Sequence, residues 1–306
     1  FTMKLCLAAL LATAAVLPVV ACWLYDEDVD CVLTEWSDWK AIPGGLVRTR
    51  DVLRYHQGNG LPCGDLEEFD MTGAMPTVQQ TTANLEENFL GNTPTARAAG
   101  NKRDLVLLLD MSGSIGSADF GSLKNYVAEL LSYICPENGM GSFHRVAVVT
   151  FSNNVVLNLN FHQATTLGQI QATIHNLPYE GSGTRTADAI NFVRTQVFQT
   201  GNYRDAPDVD LEVLLISDGH PNGAGNSPQD VELAAGELSD KGVYIYALGY
   251  GSAYSSSSDF DHLKNLVTAP WYQHIFNLDQ VSDFENMLDI LANRPSHIVC
   301  VNFQQG

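Results

Sequence analysis

The sequence predicts an α/β fold, a doubly wound and mostly parallel sheet over residues 104–294, with a smaller module ahead of it. Three observations carry that expectation. Unbroken apolar runs, as in DLVLLLD at 104–110 and LEVLLIS at 211–217, read as strands buried on both faces. Stretches of helical period separate these runs, the pattern of crossover connections in a parallel sheet covered on both sides. Finally, oxygen-bearing side chains stand where the runs end, the rim at which open sheets of this kind bind ligands.

In chain order, strands are expected at 104–110, 145–151 (RVAVVTF), 155–160, 211–217, 243–248 (VYIYAL) and 272–277. Helices are expected at 118–134, 166–176, 186–199, 228–240, 259–267 and 280–292. Ser117, Thr186 and Ser282 are read as N-caps, because a hydroxyl ahead of an amphipathic run accepts from an otherwise orphaned helical N–H. The short 151–155 connection implies an antiparallel hairpin, which makes 155–160 an edge strand.

Ahead of this region, Lys4 precedes an apolar stretch from Leu5 to Val20, and small or branched residues end it at Val19-Val20-Ala21. At about 16 residues the stretch is short for a membrane span, which needs roughly 20. Residues 1–21 are therefore read as a signal peptide and the protein as secreted. The sequence VVAC also resembles a bacterial lipoprotein signal, in which Cys22 would carry lipid. Residues 22–70 form a module with three cysteines, Cys22, Cys31 and Cys63, and three of the four tryptophans. Residues 71–103, rich in Thr, Ala, Asn and Pro, read as a linker with one short helical turn around Leu85 to Leu90. Residues 295–306 are a C-terminal tail.

The chain has 306 residues and a formal net charge of −19. That charge argues against nucleic acid and anionic membranes as partners, since both would repel it. With the signal removed, Cys22, Cys31, Cys63, Cys135 and Cys300 remain. An odd count in an oxidising compartment leaves one thiol, Cys22 in this reading, for another chain or for lipid. No Cys-x-x-Cys spacing occurs, which argues against a zinc site, and no Asn-x-Ser/Thr sequon is present.

Asp110, Ser112 and Ser114 leave the first strand of the large region, Asp218 ends LLISDG, and Thr184 lies in the loop YEGSGTRT. Two carboxylates and three hydroxyls, with no histidine or thiolate, suit Mg²⁺, Mn²⁺ or Ca²⁺. Taken singly, Asp110 reads as a helix-capping carboxylate and the serines as turn residues. Their joint occurrence at three strand ends favours a common ligand. A dication neutralised by only two carboxylates would still attract an anionic oxygen, such as a partner's Asp or Glu.

DMSGSIG, GSGTRTADAI and LLISDGHPNG resemble, in that order, the three metal-binding loops of the von Willebrand factor type A domain. The resemblance implies that family's doubly wound, Rossmann-like sheet. It also implies a metal-ion-dependent adhesion site whose ligands are Asp110, Ser112, Ser114, Thr184 and Asp218. Enzyme readings find less support. There is no Gly-x-Ser-x-Gly elbow and no Gly-Lys-Ser/Thr loop, and His220 is the sole candidate base for cation-assisted hydrolysis.

DCVLTEWSDW, GGLVRTRDVL and GNGLPCGDLEE resemble a degenerate thrombospondin type-1 repeat. That resemblance implies a small β module in which Arg48 and Arg50 layer between Trp36 and Trp39. Of the repeat's usual six cysteines only Cys31 and Cys63 are kept, which makes them the implied bridge. In the large region Cys135 follows the first helix and Cys300 the last. Both helices descend from the metal rim, so a Cys135–Cys300 bridge at the opposite end is geometrically reasonable.

The reading is a secreted, non-enzymatic adhesion or extracellular protein-binding module that offers a divalent cation to an exposed Asp or Glu. The alternative is a structural subunit of an extracellular matrix or filament, in which neighbouring subunits are the partners and the metal site is structural or unused.

Overall fold

The computed structural model describes residues 28–71, 75–90, 102–134, 144–218, 221–251 and 263–293. The signal peptide at 1–21, the tail at 295–306, Cys22, the Cys135–Cys300 bridge and His220 all lie outside the described residues. The chain divides into two compact units, the second of which takes in residues 41–46 and everything from Asp70 onward.

Residues 28–71 are built on short strands. β1 (Val32–Leu33) pairs antiparallel with β4 (Val52–Arg54). β2 (Lys40–Ile42), β3 (Gly45–Thr49) and β5 (Glu67–Asp70) form a three-stranded sheet. Cys31 and Cys63 are disulfide-bonded. The Arg48 guanidinium lies 5.1 Å from the Trp36 ring centre and 4.7 Å from that of Trp39, and Arg50 lies 4.2 Å from Trp36. Arg48 also donates to Glu68 at 2.8 Å, and Arg50 Nε to the Asp65 carbonyl at 2.7 Å, so both cations are held in place while they stack.

The second unit contains a six-stranded sheet in the order β11-β10-β9-β6-β7-β8. Its strands are β6 (Lys102–Asp110), β7 (His144–Phe151), β8 (Val155–Leu159), β9 (Val209–Ser217), β10 (Val243–Tyr250) and β11 (Ile275–Leu278). All neighbours are parallel except β7 and β8, which form the expected antiparallel edge. The period-2 alternation of a strand sends Leu105, Leu107 and Leu109 to one face, where α2 (Ser117–Ile134), α3 (Leu167–His175) and α6 (Val281–Ala292) cover them. Val106 and Leu108 face the other side, under α4 (Thr186–Phe192) and α5 (Pro228–Ser239). Each Leu or Val so buried contributes roughly 1.5–3 kcal/mol, which is why these uninterrupted runs can only be central strands.

Several expectations need correction. The stretch 71–103 is not merely a linker. It contains α1 (Val78–Leu85), which continues as a π turn through Leu90, and Leu85, Phe89 and Leu90 are buried in the core. Its polar residues serve the same docking: Thr81 Oγ1 donates to the Asn277 carbonyl at 2.9 Å and Asn84 Nδ2 to that of Tyr272 at 3.0 Å. The large domain's first strand accordingly begins at Lys102 rather than 104. The strand expected at 272–277 is a single helical turn, Trp271–His274, followed by β11.

Of the helix expected at 259–267, only residues 263–266 are helical among those described. The helix expected at 186–199 is α4 continued by a π turn at Val193–Val197. The cap of α6 is Gln280, in a reciprocal pair with Asp283, rather than Ser282. Ser117 and Thr186 are each the first residue inside their helix. Gly116 supplies the carbonyl that accepts the first α2 bond, and Arg185 holds the cap position of α4.

Candidate metal centre

Register places the first two carboxylates. Leu109 pairs with Ile216 across β6 and β9, so Asp110 ends its strand beside Ser217, and Asp218 follows one residue later. The chain runs from β6 outward through β7 and β8, then returns to lay β9 on the other flank of β6. The seam between β6 and β9 is therefore the topological switch point, where crossovers leave a crevice at the carboxyl ends.

Asp110 is fully buried. Its Oδ1 accepts the Ser112 N–H at 2.8 Å and its Oδ2 accepts the Ser217 hydroxyl at 2.6 Å. The Ser112 and Ser114 hydroxyl oxygens lie 3.1 Å apart, and Ser114 Oγ donates to Asp218 Oδ1 at 3.0 Å. Four of the five residues singled out in the sequence thus form one continuous hydrogen-bonded chain. Thr184 reaches the same rim by another route. Gly113 N–H donates to the Ser182 carbonyl at 2.7 Å and Gly181 N–H to the Met111 carbonyl at 3.1 Å, which zips the loop after β6 onto the loop before α4.

That close approach needs glycine on both sides. A Cβ on Gly113 would lie 3.2 Å from the Gly181 carbonyl oxygen, and Gly181 has a φ of +68° with the Tyr179 ring against it. The Thr184 hydroxyl itself is bonded to Asn222, at 3.3 Å from its Nδ2, rather than to the other four residues.

Burial pushes the Asp110 carboxyl up to about 6, although hydrogen bonds from Ser217 and Ser112 pull the other way and the Asp218 charge adds to the rise. Burial also raises Asp218, partly offset by the Ser114 hydrogen bond. Both shifts say that the negative charge here is incompletely compensated by the protein. The donors are hard oxygens, and among the described residues no group of three or more His, Cys, Asp or Glu gathers anywhere. The set fits a hard dication with several positions left for water or a partner, and fits neither a thiolate zinc site nor a carboxylate-rich calcium cage.

Sequence reasoning missed several residues that build the rim. Ser217 was visible beside Asp218, and only the β6–β9 register reveals that it faces Asp110. Ser152 accepts the Ser182 N–H and donates to the Gly183 carbonyl, each at 3.0 Å. The Tyr179 hydroxyl donates to the Ser112 carbonyl at 3.1 Å.

The family model of the von Willebrand factor type A domain matches residues 104–290. Integrin alpha-X of Mus musculus is 28% identical over 204 residues, which are 64% of this chain and 16% of that protein. Cochlin of Bos taurus is 27% identical over 176 residues, 58% of this chain and 29% of that one. The collagen alpha-4(VI) chain of Mus musculus is 25% identical over 180 residues, 58% and 7% respectively. Among solved structures, proximal thread matrix protein 1 from the mussel byssus superposes with a TM-score of 0.54 at 22% identity, covering 65% of this chain and 48% of that one. It has also been solved with a zinc-occupied MIDAS motif. The chain spans less than a third of the length of these curated relatives and about half that of the byssus protein.

Proposed function

Because this chain belongs to the von Willebrand factor type A domain family, we propose that its large unit presents a divalent cation to an acidic group on an extracellular protein partner. Asp110, Ser112, Ser114, Thr184 and Asp218 hold the ion. Two carboxylates balance a charge of two, and the hydroxyls add neutral oxygens. At least one coordination position is left to a partner's carboxylate, for which Mg²⁺, Mn²⁺ and Ca²⁺ are all suited. The observation that carries this reading is the unbroken chain Asp110–Ser112–Ser114–Asp218 at the switch point of the sheet.

The activity is binding, with no chemical step. The protein is secreted after removal of residues 1–21, and Cys135–Cys300 is a second bridge. Residues 22–70 act as a degenerate thrombospondin type-1 repeat and a second contact surface. Support for that assignment comes from the Cys31–Cys63 bond and the stack of Trp36, Trp39, Arg48 and Arg50. A second reading, as a structural subunit of an extracellular polymer, is favoured by relatives named as collagen chains and a byssal matrix protein.

The test is a thermal-shift titration with Mg²⁺ or Mn²⁺, alongside capture of extracellular matrix proteins on the immobilised chain in Mg²⁺ and in EDTA. The wild type melts higher as the cation is added and loses its captured partners in EDTA. Asp110→Ala folds, shows no cation-dependent shift and captures nothing. Partners held equally well in chelator would favour the structural-subunit reading, and a wild type indifferent to both ions would end the cation reading.

A further inference from the structure

The loop that follows Asp218 grips the threonine loop through two asparagines spaced by four residues, Asn222 and Asn226, set against two residues with the same spacing, Thr184 and Asp188. Asn222 makes three bonds to a single residue. Its backbone N–H donates to the Thr184 carbonyl at 2.8 Å. Its Oδ1 accepts the Thr184 N–H at 3.0 Å, and its Nδ2 donates to Thr184 Oγ1 at 3.3 Å. Asn226, fully buried, accepts the Asp188 N–H at 3.1 Å and donates to Asp188 Oδ2 at 3.0 Å. The second clasp pins the first turn of α4 and touches no proposed ligand.

Resting on the cation reading above, we propose that Asn222 is a positioning residue that orients the Thr184 hydroxyl toward the ion and ties Thr184 to the loop that carries Asp218. A threonine hydroxyl has two lone pairs and one hydrogen. The Asn222 amide occupies one lone pair from a fixed direction, which leaves the other for a cation and turns the O–H away from it. Asn222 also holds the backbone of Thr184 at both its N–H and its carbonyl, which fixes where the side chain starts, and the hydroxyl cannot swing without breaking its bond to Asn222 Nδ2. The side chain of Asn222 is exposed, so its bonds, rather than core packing, are what it contributes. Thr184 by contrast is only 3% exposed.

The experiment is a double-mutant cycle read by direct Mn²⁺ titration, with paramagnetic resonance of free Mn²⁺ as the signal. Asn222→Ala weakens Mn²⁺ binding about tenfold, as loss of a partner that orients a ligand typically does. Thr184→Ala weakens it comparably. In the Thr184→Ala background, Asn222→Ala adds less than a twofold loss, because the group it acts through is gone. Thr184→Ser, which keeps a hydroxyl, restores the full effect of Asn222→Ala.

Asn226→Ala lowers the melting temperature while leaving Mn²⁺ affinity within twofold, and so separates loop stability from ligand orientation. Asn222→Ser, too short to span to Thr184, goes through the same cycle in case Asn222→Ala fails to fold. Equal losses in both backgrounds, or no loss for either Asn222 variant, would overturn the proposal while leaving the cation reading intact. A wild type that binds no Mn²⁺ would remove both.

Discussion

Two aspartates on β6, six positions apart and both fully buried, have opposite electrostatic fates. Asp104 lies near the start of the strand, where burial alone would raise its pKa. Hydrogen bonds from Arg145 and Arg204 outweigh that and hold its carboxyl below the usual range. Arg145 Nε donates to Oδ1 at 2.9 Å, Arg204 Nη2 at 2.6 Å, and the Arg204 backbone N–H meets Oδ2 at 2.8 Å. Asp110, at the other end, is held by a backbone N–H and a serine hydroxyl and is pushed up to about 6. One end of the sheet has closed its charge account internally with guanidinia. The other leaves a carboxylate under-compensated at the switch point, where an ion from solvent can finish the job. Both carboxylates are closed to solvent, Asp110 is packed more deeply, and the guanidinia beside Asp104 are what turn its shift downward, so burial and neighbours together decide which acid is architecture and which is open to a ligand.

The largest effect follows from removing the compensated acid. Asp104→Ala leaves the Arg145 and Arg204 guanidinia without their carboxylate in a mostly buried site, which costs about 3–5 kcal/mol. Urea unfolding measures this, and a loss below about 1 kcal/mol would show that the cluster is solvated and the contrast false. The same interaction sets an acid limit. A carboxylate whose folded pKa is depressed contributes stability above its ordinary value near 3.8, and that stability is lost as pH falls through the lower folded value. Acid unfolding in wild type therefore steepens below 3.8, and in Asp104→Ala that step is missing.

The next effect has the opposite sign. Raising Asp110 from 3.8 to about 6 means that the ionised form costs the cation-free fold about 3 kcal/mol at pH 7 and above. Asp110→Asn keeps an acceptor for the Ser112 N–H, and the Ser217 hydroxyl can turn to accept from the new amide. In EDTA at pH 8 this variant melts higher than wild type. The gain shrinks between about pH 6 and 3.8, as wild-type Asp110 takes up its proton, and is gone below 3.8. With Mg²⁺ added, wild type closes the gap and the variant does not move. Calorimetry at pH 8 and pH 3.5 checks the sign, and a pH-independent difference would mean that charge at Asp110 is not the cause.

How much of this was legible beforehand follows the range of the interactions. The central strands, the crossovers between them and the convergence of Asp110, Ser112, Ser114 and Asp218 were readable because each rests on local periodicity plus one topological rule. Helix α1 and the π turn that continues it were misread as linker because their buried residues include Thr81, Thr82, Asn84 and Asn88, whose side chains bond to carbonyls far along the chain or one turn back. Polar composition looks the same whether those bonds go to water or to protein. Likewise Arg145 and Arg204 lie 41 and 100 residues from Asp104. Nothing near Asp104 in sequence announces that its charge is satisfied, and nothing near Thr184 announces Asn222.

The smallest effect tests whether burial is needed for the contrast at all. Lys102, two residues before Asp104 on the same strand, bonds Asp208 at 2.9 Å, with side chains 40% and 56% exposed. That hydrogen bond lowers the Asp208 pKa, so on pKa direction alone the pair resembles Asp104 and its arginines. Water and salt already screen it, and holding two mobile side chains together offsets much of what remains. Lys102→Met should leave the urea midpoint at 0.15 M salt unchanged within error, with a small downward shift appearing only at low ionic strength. A salt-independent loss approaching that of Asp104→Ala would mean that any paired carboxylate at this end of the sheet is structural. The difference between Asp104 and Asp110 would then reflect which end of the strand they occupy, and not how far their charges are compensated out of reach of water.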